Sequence, residues 1–146
     1  LNKIYLLILF TSLSGCLNND KSPEASSKNY IATQQPALKE SIRRGEMVYA
    51  DFCLQCHMAG GEGVAGSFPP LAGSNWLVEK RSESIQAVKY GQKGPIVVNG
   101  ESYNSVMVPM GLSDSEIADV LNYVMNSWGN TQKSMVTKEE VAAISE

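Results

Sequence analysis

Cys53-Leu54-Gln55-Cys56-His57 holds the only histidine of the chain and two of its three cysteines. Two thiols at this spacing, followed at once by an imidazole, can add to the two vinyl groups of a haem while the imidazole takes the iron. The five residues read as a covalent haem attachment site, and the rest of the chain has to serve it. Three other chemistries fit them less well. A structural zinc site wants four Cys/His ligands, and only Cys16, far upstream, is left to complete one. A thioredoxin-like pair would end a strand in a βαβ pattern, whereas Cys53 follows a helical stretch and opens a glycine-rich loop. A disulfide between residues so close in sequence leaves the adjacent histidine unexplained.

A chain of 146 residues has room for one domain with a core of about 90 residues, plus flanking segments. Its net charge of −3 gives no reason to expect a nucleic-acid partner. Near the start, Lys3 precedes the apolar run Ile4-Tyr5-Leu6-Leu7-Ile8-Leu9-Phe10, too short to span a bilayer as a mature helix. Residues 1–15 therefore read as a signal peptide. Its end, Leu13-Ser14-Gly15-Cys16, resembles the bacterial lipobox, which implies an acylated Cys16 as the first mature residue and a membrane tether without a span. A plain secretory signal with a stray cysteine is the alternative. Export to the bacterial cell envelope, facing the periplasm or on the surface, suits the chemistry, because c-type haem is attached outside the cytoplasm.

Residues 16–38 are rich in Asn, Ser, Lys, Pro and Gln and too poor in apolar side chains to build a core, so a flexible tether is expected there. The domain is expected over 39–129. From Ser41 the pattern turns helical, with Ile42, Gly45, Tyr49 and Phe52 on one face. A glycine inside a helix costs about 1 kcal/mol relative to alanine, so Gly45 points to the close approach of another helix. Met58 to Gly66 carries four glycines in nine residues, a loop that lies against something flat. The rigid Phe68-Pro69-Pro70-Leu71 follows, where a carbonyl could accept the second ring N–H of the histidine. A short helix is expected over 75–80. Another should run from a Ser82 cap to Tyr90, with Gly91 as its stop. Val97-Val98-Asn99-Gly100 with Tyr103 suggests a small hairpin.

Val106-Met107-Val108-Pro109-Met110-Gly111 has neither helical nor strand period. With one histidine in the chain, the second axial position of a haem iron must be filled by something else, and thioether sulfur is a known ligand. Both methionines are candidates. Ser113-Asp114-Ser115-Glu116 is a capping box, and Ile117, Val120, Leu121, Val124, Met125 and Trp128 recur at helical spacing up to Gly129. Tyr123 could lie over Gly45. Residues 130–146 read as a polar C-terminal tail with a possible turn after Thr137.

Gly45 and Tyr49 ahead of C-x-x-C-H, the proline segment after it, a methionine loop and a closing helix with an aromatic together resemble the class I monohaem cytochromes c over roughly residues 40–129. The resemblance implies an all-α fold of three to five helices around one covalently bound haem c, with the N- and C-terminal helices crossing at Gly45 and Tyr123. It implies Cys53 and Cys56 as the haem thioethers, His57 as an iron ligand and the Pro69 carbonyl as acceptor of its N–H. It favours Met107 as the second ligand, since Met107 follows a Tyr-Asn-x-Val run as the family's ligand does. The family's usual Met-Pro pair is here Met-Val-Pro-Met, so Met110 is the alternative.

The expected function is a membrane-tethered one-electron carrier with no catalytic residues of its own. Its partners would be redox proteins: a copper nitrite reductase, a terminal oxidase or reductase, or a dehydrogenase. The rival readings are a haem subunit permanently bound to an oxidoreductase, and a haem catalyst or sensor with an open sixth position. Lys39, Arg43, Arg44, Lys80, Arg81, Lys89 and Lys93 all precede the methionine loop, which suggests either a basic docking patch or an ordinary mixed surface.

Overall fold

The computed structural model describes residues 23–132 and 134–146. The expected signal peptide, residues 1–15, and the expected lipidation site Cys16 lie outside the described residues. The elements run α1 (Pro23–Phe52), α2 (Leu54–His57), α3 (Asn75–Glu79), α4 (Arg81–Tyr90), β1 (Ile96–Val98), β2 (Glu101–Tyr103), α5 (Asp114–Val124) and α6 (Lys138–Ala143). Helices α1, α4 and α5 carry the fold. The two strands form only a small antiparallel hairpin, turned by Asn99 and Gly100 at φ 51 and 85 as a two-residue turn of this hand requires.

The centre is α5. The Ser113 hydroxyl caps it by accepting from the Glu116 N–H, and the Glu116 carboxylate accepts from the Ser113 N–H at 2.8 Å, closing the expected capping box. Ile117, Val120, Leu121 and Val124 follow at helical spacing, none more than 4% exposed. The helix ends at Val124 rather than near Gly129, because Asn126 Nδ2 and Ser127 Oγ donate to the carbonyls of Asn122 and Tyr123 at 2.9 and 2.7 Å and draw the chain away.

Helices α1 and α5 cross at Gly45. A Cβ there would run into the Asp119 carbonyl and lie 2.9 Å from Tyr123 Cβ, so the close approach expected of this glycine is real. Asp119, which the sequence pattern did not single out, is buried at the crossing. Arg44 donates to its carboxylate from Nε and Nη2 at 2.6 and 2.8 Å, and the Ser41 hydroxyl donates at 2.6 Å. Those bonds satisfy a charge that would be costly if left alone in the interior.

Three expectations need correction. The tether was expected through residue 38, but α1 begins at Pro23. Residues 23–38 include three alanines, two glutamines and a lysine, which favour a helix. Their polarity argues against a core position and says nothing against a helical backbone. The tail, expected to be loose over 130–146, instead packs: Val136 and Val141 are 0% exposed and join the core cluster with Tyr49, Ile85, Ile117 and Leu121. Two valines five residues apart are too sparse a pattern to announce burial. Finally, Ser82 lies inside α4, whose cap residue is Lys80.

Candidate cofactor site

The sequence from Tyr49 onward builds one wall. Helix α1 hands over to Cys53, whose N–H bonds the Tyr49 carbonyl at 2.9 Å, and the single turn α2 then carries Cys56 and His57. Burial first, then the neighbouring Cys56, pushes the Cys53 thiol up to about 11. His57 is 9% exposed, and burial lowers its pKa against the opposing pull of its bond to Pro69. The ring is therefore held neutral. Its Nδ1 lies 3.0 Å from the Pro69 carbonyl; a carbonyl can only accept, so Nδ1 carries the proton and Nε2 keeps its lone pair for a metal.

That carbonyl is placed by the glycine loop. Gly63, at φ 65, bonds the His57 carbonyl through its N–H at 3.0 Å, and a Cβ there would lie 2.8 Å from the Pro69 oxygen. Val64 and Phe68 exchange two backbone bonds of 2.8 Å, and the Gly61 carbonyl accepts from Leu71 and Ala72 at 2.7 and 2.9 Å. The glycines thus fold the loop back on the histidine.

The wall faces a cleft with about 1280 Å³ of empty space counting its open mouth. Cys53, Cys56, His57 and Pro69 line it, as do Ser84, Ala87 and Val88 of α4, the hairpin, and Val120, Leu121 and Val124 of α5. Met107 and Met110 line it too. No Asp, Glu, Lys or Arg is among the lining residues. The structure therefore brings the expected site residues that it describes to one place: two thiols, an imidazole and two thioethers around an apolar cleft. Such a donor set fits a flat, apolar, iron-bearing group attached through sulfur.

Several residues that hold this site were not legible. Gln92 pairs with Met107 through two backbone bonds of 2.8 and 3.0 Å, and no sequence signal marks it. Asn130 donates from Nδ2 to the carbonyls of Leu71 and Val124 at 2.8 and 2.7 Å and accepts from the Gly73 N–H at 2.9 Å, tying the chain after α5 to the proline segment. An asparagine after a glycine is a weak cue for such a role. Tyr49, Tyr123 and Trp128 form a cluster with ring centroids 5.1–5.4 Å apart, and a Cβ on Gly61 would lie 2.6 Å from Trp128 Cζ3.

The seven basic residues do not form a free patch. Arg43 pairs with Glu40, Arg44 with Asp119, Lys80 with Glu83, Arg81 with Glu140 and Lys89 with Asp114, at 2.6–3.7 Å. The surface is mixed.

Comparison with known proteins agrees with this geometry. The family model described as Cytochrome c matches residues 42–128. Over 94 residues the chain is 42% identical to cytochrome c-552 of Thermus thermophilus, covering 61% of this chain and 71% of that one. It is 34% identical over 104 residues to the cytochrome c subunit of the quinone alcohol dehydrogenase of Gluconacetobacter polyoxogenes, covering 68% of this chain and 22% of the relative. The match to the gluconate 2-dehydrogenase cytochrome c subunit of Pantoea cypripedii is 33% over 145 residues, 92% of this chain and 32% of the relative. The chain thus spans less than a third of either dehydrogenase subunit.

Proposed function

The chain belongs to the cytochrome c family, and on that premise we propose that it is an exported, membrane-tethered one-electron carrier in which Cys53 and Cys56 hold the haem, and His57 and Met107 take the iron. The family assignment brings with it the class I monohaem fold, covalently bound haem c and electron transfer. When bound, the group supplies one-electron cycling between ferric and ferrous iron. Everything else is the work of the chain.

The observation that carries the reading is that His57, with Nδ1 committed to Pro69, lines one uncharged cleft together with both cysteines and both methionines. The bond to Pro69 fixes the ring and its tautomer and raises its basicity as a ligand. Apolar walls without a carboxylate give the extra positive charge of the ferric state nothing to pair with, which favours the ferrous state. Met107 is preferred to Met110 because its backbone is bonded on both sides to Gln92, so its position costs little further ordering. Were His57 and Met107 both to hold the iron, no coordination position would be left for a substrate, as suits a carrier rather than a catalyst.

Lipidation of Cys16 would tether the chain to a membrane ahead of α1. The partners would be oxidoreductases such as an oxidase, a dehydrogenase or a copper nitrite reductase. Names among the relatives include subunits of dehydrogenases and of a cbb3-type oxidase, and they favour as second reading a subunit that stays bound to one such enzyme.

Absorption spectra of the oxidised and reduced holoprotein, with Met107→Ala and Met110→Ala, test the site. The long-wavelength band of methionine sulfur on ferric iron should vanish with Met107→Ala and survive Met110→Ala. Loss with Met110→Ala alone moves the ligand to Met110. A parent protein without the band that binds carbon monoxide readily overturns the carrier reading in favour of a catalyst or sensor.

A further inference from the structure

We propose that the C-terminal segment Ser134–Glu146 is a clasp that positions Met107 through α4, an inference that rests on Met107 being the sixth ligand. The segment is anchored on α5 first. Asn122 bonds both backbone groups of Val136, donating from Nδ2 to its carbonyl and accepting from its N–H, each at 2.8 Å. Val136 and Val141 are fully buried.

From that anchor the segment grips α4 at its two ends. At the first residue, Arg81 Nε and Nη2 donate to the Glu140 carboxylate at 2.6 and 2.8 Å, and the guanidinium also reaches the carbonyls of Ser134 and Met135 at 3.3 and 3.1 Å. At the last residues, Lys89 Nζ donates to the Val141 carbonyl at 2.8 Å, and the Tyr90 hydroxyl donates to the Ile144 carbonyl at 3.0 Å. A forked guanidinium contact fixes direction as well as distance, so the helix is held against sliding and against rotation.

Between the two gripped ends, Ser84, Ala87 and Val88 of α4 line the cleft. Immediately after Tyr90, the chain meets the methionine loop with no slack. A Cβ on Gly91 would lie 2.6 Å from the Met107 carbonyl, and Gln92 exchanges both backbone bonds with Met107. One residue, Gly91, separates the clasped Tyr90 from the Gln92–Met107 pair. Any shift of α4 on α5 therefore carries Met107 with it. A segment needed only to close the core would require the two valines and not the polar contacts at both ends of α4.

The test uses the holoprotein with Arg81→Met combined with Tyr90→Phe, which loosens both ends of α4 without touching the valines. Val48→Ala, in α1 and outside the cleft lining, is the control for general destabilisation. Amide exchange at Gln92 and Met107 should accelerate about fivefold or more relative to the control, the range of one lost hydrogen bond. The methionine–iron band should also be lost at a lower temperature than the far-ultraviolet signal of the helices, whereas Val48→Ala moves the two together. Arg81→Lys with Tyr90 intact should restore most of the protection. Should the double variant not fold, Tyr90→Phe alone is read by the same exchange. Unchanged exchange at Gln92 and Met107, while Met107→Ala still abolishes the band, overturns the clasp and leaves the ligand reading standing. A band that survives Met107→Ala shows that the ligand reading itself has failed, and the proposal falls with it.

Discussion

The Tyr49 hydroxyl donates a 2.6 Å hydrogen bond to the carbonyl of Met58, the residue directly after His57. Met58 stands at φ 64 and ψ 166, a conformation that costs a residue with a side chain about 1–3 kcal/mol. Tyr49 is 2% exposed, and burial keeps its phenol protonated well beyond the usual range. It therefore stays a donor wherever the protein is folded. The bond fastens a strained turn next to His57 to helix α1, which the core already holds.

Two substitutions separate the strain from the bond. Tyr49→Phe keeps the ring and removes the donor, and should lower the stability of the holoprotein by about 1–2 kcal/mol. Met58→Gly should raise it by about 1 kcal/mol by relieving the left-handed backbone. Urea unfolding measures both. A Met58→Gly protein less stable than its parent would show that the turn stores no strain.

At the helix crossing the expected effect has the opposite sign to helix propensity. Alanine is favoured over glycine in a helix by about 1 kcal/mol, yet a methyl group at Gly45 meets backbone of Asp119, which cannot swing aside. Overpacking of this kind costs about 1–3 kcal/mol, so after the propensity gain Gly45→Ala should leave a net loss of up to about 2 kcal/mol in urea unfolding. A gain in stability would mean that α1 and α5 can separate at no cost.

Gly45, the capping box and the Asn99-Gly100 turn were legible because each is a local rule whose partner lies nearby or is generic: any close helix explains the glycine. Cys53, Cys56 and His57 stood out in the sequence because they sit within five positions. What sequence could not convey was pairing at long range. Asp119 against Ser41 and Arg44, Asn130 across the proline segment, and Gln92 against Met107 are ordinary polar residues until the fold brings their partners within 3 Å. The C-terminal segment was misread for a related reason. Its polar residues outnumber its buried ones, and the contacts of Arg81 and Lys89 with its backbone have no periodicity.

The packing of that segment has a direct measure. Val136→Ala and Val141→Ala each remove two methyl groups from a site that is fully buried, and each should cost about 2 kcal/mol from lost transfer and the cavity left behind. Thermal unfolding of the holoprotein reads the change. If both variants melt with the parent, residues 134–146 are dispensable to the domain and the tail reading returns.

Acid should weaken the same region. The Arg81 hydrogen bonds lower the Glu140 carboxyl from its ordinary 4.5, opposed by burial and helped by the guanidinium charge and a hydrogen bond from the Thr137 backbone. A carboxyl depressed in the folded state contributes stability that is fully present above the unfolded value, and that contribution is lost as pH falls through the folded one. Below about pH 4.5, the parent should therefore lose stability more steeply than Glu140→Gln, and the two curves should run parallel above it. Urea midpoints from pH 3 to pH 7, on the order of one pH unit apart, resolve the difference. Parallel curves throughout would show that the Arg81 pair adds nothing that depends on charge.

Salt tests how the molecule meets its partners. Of the seven basic residues between Lys39 and the methionine loop, only Lys39 and Lys93 stand in no ion pair among the described residues, and no charged side chain lines the cleft. Neutralised cations project little field beyond a Debye length of about 10 Å at 0.1 M salt. Steering by a basic patch would change the association rate with an acidic redox partner by about 10–1,000-fold. Here the rate of electron transfer to such a partner should change by less than about tenfold between 10 mM and 150 mM salt. Stopped-flow oxidation of the ferrous protein measures it, and a steep fall with salt would restore the basic patch that the ion pairs argue against.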